Sequence, residues 1–117
     1  MQVDELRFDK GFPVEAYGPG FFRCGGDVIH GPMLVTEAAV SDWGGLQDVK
    51  ALLALKGAVD VLFIGMGSEM TYLPAPLQSA LDKAGIGAEA MASPTACRSF
   101  NMLLAEGRRV ALAALPV

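Results

Sequence analysis

The sequence predicts an α/β protein: a three-layer single domain whose mixed central sheet is flanked by helices, with an additional antiparallel β layer from the N-terminal third. Two patterns carry this prediction. The first third of the chain separates short apolar runs with glycine and proline, which is typical of strands joined by tight turns. The remainder alternates segments of helical spacing with short apolar runs. At 117 residues the chain has the size of one domain, so we expect residues 1–117 to share one fold.

Strand character in the N-terminal third falls in three places. The runs are residues 6–8, residues 21–24, and residues 28–29 leading to residues 33–36. Gly25 and Gly26 stand between the second and third runs, and glycine adopts the positive φ angles of a tight hairpin at little cost. We therefore expect an antiparallel hairpin at this point.

The first helix is predicted from apolar residues at helical spacing, with Ser41 or Asp42 as its N-cap and Gly57 as its stop. Residues 59–64 follow as a short, almost wholly apolar run, which is typical of a strand covered on both faces. The apolar residues of the helix are Leu46, Val49, Leu52 and Leu53.

A second helix is predicted to begin near Pro74 or Pro76, because proline fits the first turn of a helix, and to end at Gly85. Residues 86–91 are the next strand candidate. The helix carries Leu77, Ala80, Leu81 and Ala84 on one face.

The last helix is predicted to begin at Ser93, as N-cap, with Pro94 in the first helical position. It continues to about Glu106 and stops at Gly107, and residues 110–115 form the final strand. Its inward face consists of Ala96, Phe100, Leu103 and Leu104.

Composition excludes several classes of partner. The formal net charge is −4, and Lys and Arg are scattered, so we expect no nucleic acid and no anionic membrane surface as partner. Cys24, Cys97 and the single His30 lack the paired spacing of a metal site, so no metal or cofactor is expected. Hydrophobic residues make up 52% of the chain, a surplus that fits either a well-buried sheet or an apolar face for a partner.

Nothing in the sequence predicts targeting to a membrane. The first five residues include two acidic side chains and no apolar core of a signal sequence. The longest apolar run, residues 110–117, is far shorter than the roughly 20 residues of a membrane-spanning helix. We therefore expect no membrane insertion and a cytoplasmic location.

Several stretches together resemble a known family. The most specific is Thr95-Ala96-Cys97-Arg98-Ser99-Phe100-Asn101, followed by Leu104-Ala105-Glu106-Gly107-Arg108-Arg109-Val110-Ala111; Ile64-Gly65-Met66-Gly67, Leu73-Pro74 and Gly85-Ile86-Gly87 precede it. This pattern is similar to the small-domain family that includes the third assembly factor of mitochondrial respiratory complex I and many uncharacterised bacterial and archaeal proteins. The resemblance runs nearly end to end, and Ser99-Phe100 stands where the family more often has Thr-Tyr.

This resemblance implies a mixed sheet flanked by helices with an extra β layer. It also implies no established enzymatic activity, since the eukaryotic member acts by binding other assembly factors and complex I subunits. Protein partners, including respiratory-chain assembly components, are therefore expected, and the oligomeric state stays open.

A glycine-rich turn is the first candidate site. Gly65, Gly67 and Ser68 follow a buried strand, where backbone N–H groups can approach an anion. The turn matches neither the dinucleotide-binding nor the P-loop motif. The two interpretations are a turn that needs glycine dihedral angles and a ligand-binding loop.

The start of the last helix is the second candidate site. Cys97 and Asn101 are i, i+4 neighbours, and Arg98 lies one position around the helix. A functional interpretation gives Cys97 a thiol pKa lowered by the helix dipole and by Arg98, which would hold an anion. A structural interpretation buries Cys97 as a small hydrophobe while Arg98 and Asn101 tie down loops. His30 is the only histidine that could serve Cys97 as a base.

Two functions follow. The leading hypothesis is a non-catalytic binding or scaffold protein resembling a complex I assembly factor. The alternative is a small-anion-binding protein or weak enzyme, with a cleft between the Gly65–Ser68 turn and the helix start at Cys97, Arg98 and Asn101.

Overall fold

A computed structural model describes Phe8 and residues 10–117. Eleven elements follow one another in these residues. The strands are β1 (Val14–Gly18), β2 (Phe21–Cys24), β3 (Asp27–His30), β4 (Met33–Val35), β5 (Val40–Asp42), β6 (Val61–Met66), β7 (Ala88–Met91) and β8 (Val110–Leu115); the helices are α1 (Val49–Leu53), α2 (Ala75–Lys83) and α3 (Ser93–Ala105). The strand expected at residues 6–8 lies outside the described residues except for Phe8, which is irregular.

The strands form two sheets. The five-stranded sheet has the order β5-β4-β8-β6-β7; β8, β6 and β7 are parallel, while β4 runs antiparallel to both β5 and β8. The three-stranded sheet has the order β1-β2-β3 and is antiparallel throughout. This architecture confirms the predicted mixed sheet with an additional N-terminal β layer.

The central strands are buried on both faces because each face is covered by different elements. Leu62 and Ile64 of β6 pack in a cluster with residues of α1 and α2, whereas Phe63 packs in a cluster with α3 and the three-stranded sheet. The strand β8 alternates in the same way. Burying each such large apolar side chain stabilises the fold by about 1.5–3 kcal/mol. The result is three layers, with α3 and the small sheet together on one face.

The hairpin predicted at Gly25 and Gly26 is confirmed. Both residues have positive φ angles, 62° and 83°, and Cys24 pairs with Asp27 across the turn. A second two-residue turn, Pro19 and Gly20, joins β1 to β2, with Gly18 opposite Phe21.

The starts of two helices differ from prediction. Ser41 and Asp42 belong to β5, and the α1 N-cap is Asp48, whose side chain accepts a hydrogen bond from the Ala51 N–H at 3.4 Å. Of the predicted apolar residues, Val49, Leu52 and Leu53 lie in α1, but Leu46 precedes it and Leu53 is exposed. The predicted stop at Gly57 is also wrong, because the helix already ends at Leu53. For α3 the N-cap is Ala92, so Ser93 is inside the helix and its hydroxyl makes other bonds.

The bounds of α2 agree more closely with the sequence-based prediction. Pro74 is the N-cap of α2, Pro76 lies in its first turn, and Gly85 follows its end with a φ of 73°. The longest described helix, α3, has 13 residues. Among the residues that the structure describes, no helix is both long and apolar enough to cross a bilayer.

Candidate functional site: a groove between a strand edge and a helix

A groove of about 300 Å³ lies between β1 and the first half of α3. Among the strands that the structure describes, β1 pairs only with β2, so its second edge faces the helix. The lining residues are Val14, Glu15, Ala16 and Tyr17 from β1, and Pro94, Cys97, Arg98 and Asn101 from α3. Three of the predicted site residues therefore share one groove with four consecutive strand residues.

Asn101 fastens the strand to the helix at one end of the groove. Its Oδ1 accepts a hydrogen bond from the Val14 N–H at 2.9 Å, and its Nδ2 donates to the Val14 carbonyl oxygen, also at 2.9 Å. One carboxamide thus bonds to both the N–H and the C=O of Val14, the β1 residue that pairs with Cys24 of β2. This bears out the structural interpretation of Asn101 as a residue that holds a neighbouring segment.

Cys97 lies in the floor of the groove with 4% of its surface exposed. Burial raises the pKa of its thiol to about 11, and the nearby Arg98 charge offsets only part of that effect. The expectation of a lowered thiol pKa is therefore wrong, because desolvation of the thiolate outweighs the attraction of the Arg98 charge. A thiol of this pKa is almost wholly protonated at neutral pH and is a poor nucleophile.

Cys24 belongs to the same apolar cluster, and the pKa of its thiol is raised further than that of Cys97. It is fully buried, and burial, with electrostatic repulsion from Glu15 and from the neighbouring Cys97 as smaller causes, raises the pKa of its thiol to about 12. Its Sγ donates to the Phe12 carbonyl oxygen at 3.1 Å. Both cysteines are free thiols.

Within residues 10–117, Arg98 is the one cationic side chain that lines the groove. It is exposed, and its Nη2 donates to Thr95 Oγ1 at the long distance of 3.4 Å. The acidic lining residue, Glu15, accepts a hydrogen bond from the Gly26 N–H at 3.2 Å in the hairpin turn. Arg98 therefore retains donors for another acidic group, and it does not tie down a loop as the structural interpretation expected.

The glycine-rich turn is closed by Ser93. The Gly67 N–H donates to Ser93 Oγ at 2.9 Å, the Ser93 N–H donates to the Gly67 carbonyl oxygen at 2.7 Å, and Ser93 Oγ donates to the Leu115 carbonyl oxygen at 2.6 Å. A Cβ atom at Gly65 would lie 2.6 Å from Ser93 Oγ. The N–H expected to face an anion is thus already bonded within the protein, so glycine here serves close packing.

The predicted cleft between the turn and the helix start is therefore divided. Gly65 and Gly67 are buried and meet the helix at Ser93, and Ser68 is exposed beyond them. The groove beside β1 is lined instead by Cys97, Arg98 and Asn101. The three turn residues are not among its lining residues. The physical reason is that Cys97 lies on the same helix face as Ser93 but about 6 Å further along the helix axis, where β1 rather than the turn is the neighbour.

Sequence reasoning missed the β1 wall of the groove. The signal was present in Gly18-Pro19-Gly20, a turn motif directly before a predicted strand, which implies a partner strand just upstream. His30 lies exposed in β3, two strands from β1 in the sheet order, and is not a lining residue. Among the described residues, no three His, Cys, Asp or Glu side chains are grouped closely enough to hold a metal ion.

The two sheets and the flanking helices place the chain among small three-layer α/β domains. The chain belongs to the family described as "Protein of unknown function (DUF498/DUF598)", whose model matches residues 14–115. This confirms the resemblance seen in the sequence.

Three relatives represent what the chain resembles in sequence. An uncharacterised protein of Rhodobacter capsulatus is 46% identical, over all of this chain and 94% of its own length. The zebrafish protein named NADH dehydrogenase [ubiquinone] 1 alpha subcomplex assembly factor 3 is 29% identical over 99% of this chain and 71% of its own length. Its rat counterpart is 26% identical, and this chain spans 63% of that longer protein.

Solved structures agree with the fold. A crystal structure described as an outer membrane protein from Bartonella henselae has a TM-score of 0.83 and 32% identity, covering 95% of this chain and 99% of its own. A Bordetella pertussis protein described as an Mth938-like domain has a TM-score of 0.73 and 26% identity, covering 96% of this chain and 92% of its own. The three-layer arrangement is therefore shared with experimentally determined relatives.

Proposed function

We propose that this protein is a non-catalytic binding or scaffold protein that assists assembly of a respiratory NADH dehydrogenase through contacts with protein partners. The observation that carries the proposal is the near-complete coverage of this chain by the assembly factors named above. The family model, which matches residues 14–115, also spans β1 to β8.

The chemistry of the described residues supports binding over catalysis. The thiol of Cys97 is held protonated by burial, and His30 is two strands away from the groove. Among the described residues, the charged side chains that line the groove are Glu15, which accepts a hydrogen bond from the Gly26 N–H, and Arg98, a guanidinium that stays protonated and so cannot serve as a general base. Exposed large apolar side chains, including Met70 and Tyr72, offer contact area of the kind found at protein interfaces.

Affinity capture from the native host tests the proposal. The full chain, tagged and expressed at its natural level, is expected to enrich subunits of the NADH dehydrogenase or its assembly proteins over a tagged control protein of similar size and charge. Recovery of no such subunit, at any detergent concentration that preserves the enzyme, would contradict the proposal.

The alternative function is binding of a small anion with chemistry at Cys97. It is the weaker candidate, because the Gly67 N–H is bonded to Ser93 Oγ and the Cys97 thiol has a raised pKa. The part of this alternative that can still be tested is binding of an anion by Arg98 in the groove. Thermal shift across a panel of anions, with Arg98→Ala as the comparison, separates this candidate from the first.

A cytoplasmic location and one domain over residues 1–117 stay predictions. Fractionation of host cells with an antibody to the chain checks the first, and a single cooperative unfolding transition checks the second.

A further inference from the structure

The pairing of β1 with β2 shifts register between Val14 and Ala16, so Val14 and Tyr17, although three positions apart, direct their peptide groups to the same edge of β1. Cys24 and Asp27 flank one two-residue turn and Gly18 and Phe21 flank another, and residues that flank such turns exchange both peptide hydrogen bonds. Because successive residues of a strand direct their peptide groups to opposite sides, Tyr17, which lies opposite Phe22, directs its N–H and C=O away from β2.

Val14 directs its peptide groups to the same side, as its two bonds to Asn101 show directly. The Asn101 carboxamide presents to Val14 one acceptor and one donor, which is what a residue of an added strand would present. Tyr17 lines the groove beyond this point and is 42% exposed. Among the described residues, no loop or side chain bonds to the peptide groups of Tyr17.

Charge indicates what kind of strand would fit. Arg98 lies on the helical wall, three residues before Asn101, with Thr95 Oγ1 as its partner among the described residues. Glu15 is engaged by the Gly26 N–H. A segment lying along β1 would thus meet a guanidinium whose geometry suits a carboxylate.

We propose that the groove between β1 and α3 receives an extended segment of a partner protein, which adds to β1 as a fourth strand, bonds to the peptide groups of Tyr17 and places an acidic side chain against Arg98. Strand addition beside a helix uses main-chain hydrogen bonds for affinity and a few side chains for specificity. The inference rests on the proposed function, because it assigns that function's partner a docking site.

The first experiment measures binding of the full chain to an array of overlapping short peptides that cover the subunits of the host NADH dehydrogenase. Binding peptides are resynthesised with single N-methylated amides. We expect N-methylation to weaken binding at the residue whose N–H bonds to the Tyr17 carbonyl oxygen and not at the residues on either side of it, because successive N–H groups of a strand face opposite sides. Replacement of one acidic peptide residue by its amide should weaken binding by about tenfold. Equal sensitivity at all positions, or none, overturns the proposal.

The second experiment changes the protein. Tyr17→Pro removes the groove-facing N–H without removing a bond to β2, and Arg98→Glu reverses the cation; each should weaken the peptide about tenfold or more. The matched control is Val28→Pro, on the opposite edge strand β3, where Val28 is 45% exposed and also lies at a position that points away from β2. Val28→Pro should bind as wild type. Tyr17→Ala separates loss of the ring from loss of the N–H.

The outcomes separate the two proposals. If NADH dehydrogenase subunits are captured equally by wild type, Tyr17→Pro and Arg98→Glu, the groove is not the docking site, while the proposed function stands. If no subunit is captured and no peptide binds, both proposals fail. A dimer of this chain that Tyr17→Pro dissociates, or Arg98-dependent binding of acetate alone without any peptide, would also overturn strand addition.

Discussion

Removal of the Asn101 carboxamide should loosen β1 from α3 and lower the stability of the whole protein. Asn101→Ala deletes two hydrogen bonds of 2.9 Å and leaves the part-buried N–H and C=O of Val14 without partners. Each such bond contributes about 1 kcal/mol net, and an unsatisfied buried group adds to the loss. We expect the free energy of unfolding to fall by about 2–3 kcal/mol, and the Tm by about 10 °C.

Denaturant unfolding followed by circular dichroism gives the free energy, and amide hydrogen exchange gives the location of the effect. The matched control is Met102→Ala at the next residue of the same helix, whose side chain is 55% exposed and should matter by less than about 0.5 kcal/mol. Exchange of the Val14 amide should accelerate in Asn101→Ala and not in the control. If the two variants unfold alike, the carboxamide does not hold β1 and the proposed groove loses its fixed wall.

Three further predictions follow from packing and burial. Gly65→Ala should cost about 3 kcal/mol, because its Cβ would lie 2.9 Å from the Ser93 Cα, whereas Gly87→Ala, with a nearest atom at 3.6 Å, should cost less than about 1 kcal/mol in the same unfolding assay. Ser93→Ala should cost about 2–3 kcal/mol, since it removes the acceptor of the Gly67 N–H and the donor to Leu115; wild-type stability in this variant would refute the role given to the hydroxyl. Cys97 and Cys24 should react with iodoacetamide at pH 7 far more slowly than in urea-unfolded protein, and stability should fall as the pH rises from about 9 towards 11, because unfolded thiols ionise first; a double alanine variant should lack that fall.

Much of the fold follows from local sequence signals. The strand at residues 110–115 and the hairpin at Gly25 and Gly26 agree with prediction residue for residue, because an uninterrupted apolar run and a glycine pair each have few alternative structures. The N-caps predicted for α1 and α3 were wrong: Asp48 caps α1 instead of Ser41 or Asp42, and Ala92 caps α3 instead of Ser93. Capping depends on which of several nearby polar residues precedes the first helical turn, and tertiary bonds decide that choice.

The candidate site was harder to predict than the fold. Cys97, Arg98 and Asn101 were correctly placed at the start of a helix, yet their neighbours depend on where β1 packs. The wall formed by β1 is separated from Asn101 by 87 positions in the chain, and no periodicity links the two. Similarly, the pKa of the Cys97 thiol is decided by burial under the small sheet, which no local motif encodes.

Assembly of the NADH dehydrogenase in living cells tests the central claim most directly. The gene is deleted in the host, and the fully assembled enzyme is quantified on native gels with wild type, Arg98→Glu or Val28→Pro supplied on a plasmid. A protein that acts by binding partners through its groove predicts loss of assembled enzyme on deletion, rescue by wild type and Val28→Pro, and failure of Arg98→Glu. An unchanged amount of assembled enzyme in the deletion strain would contradict the account.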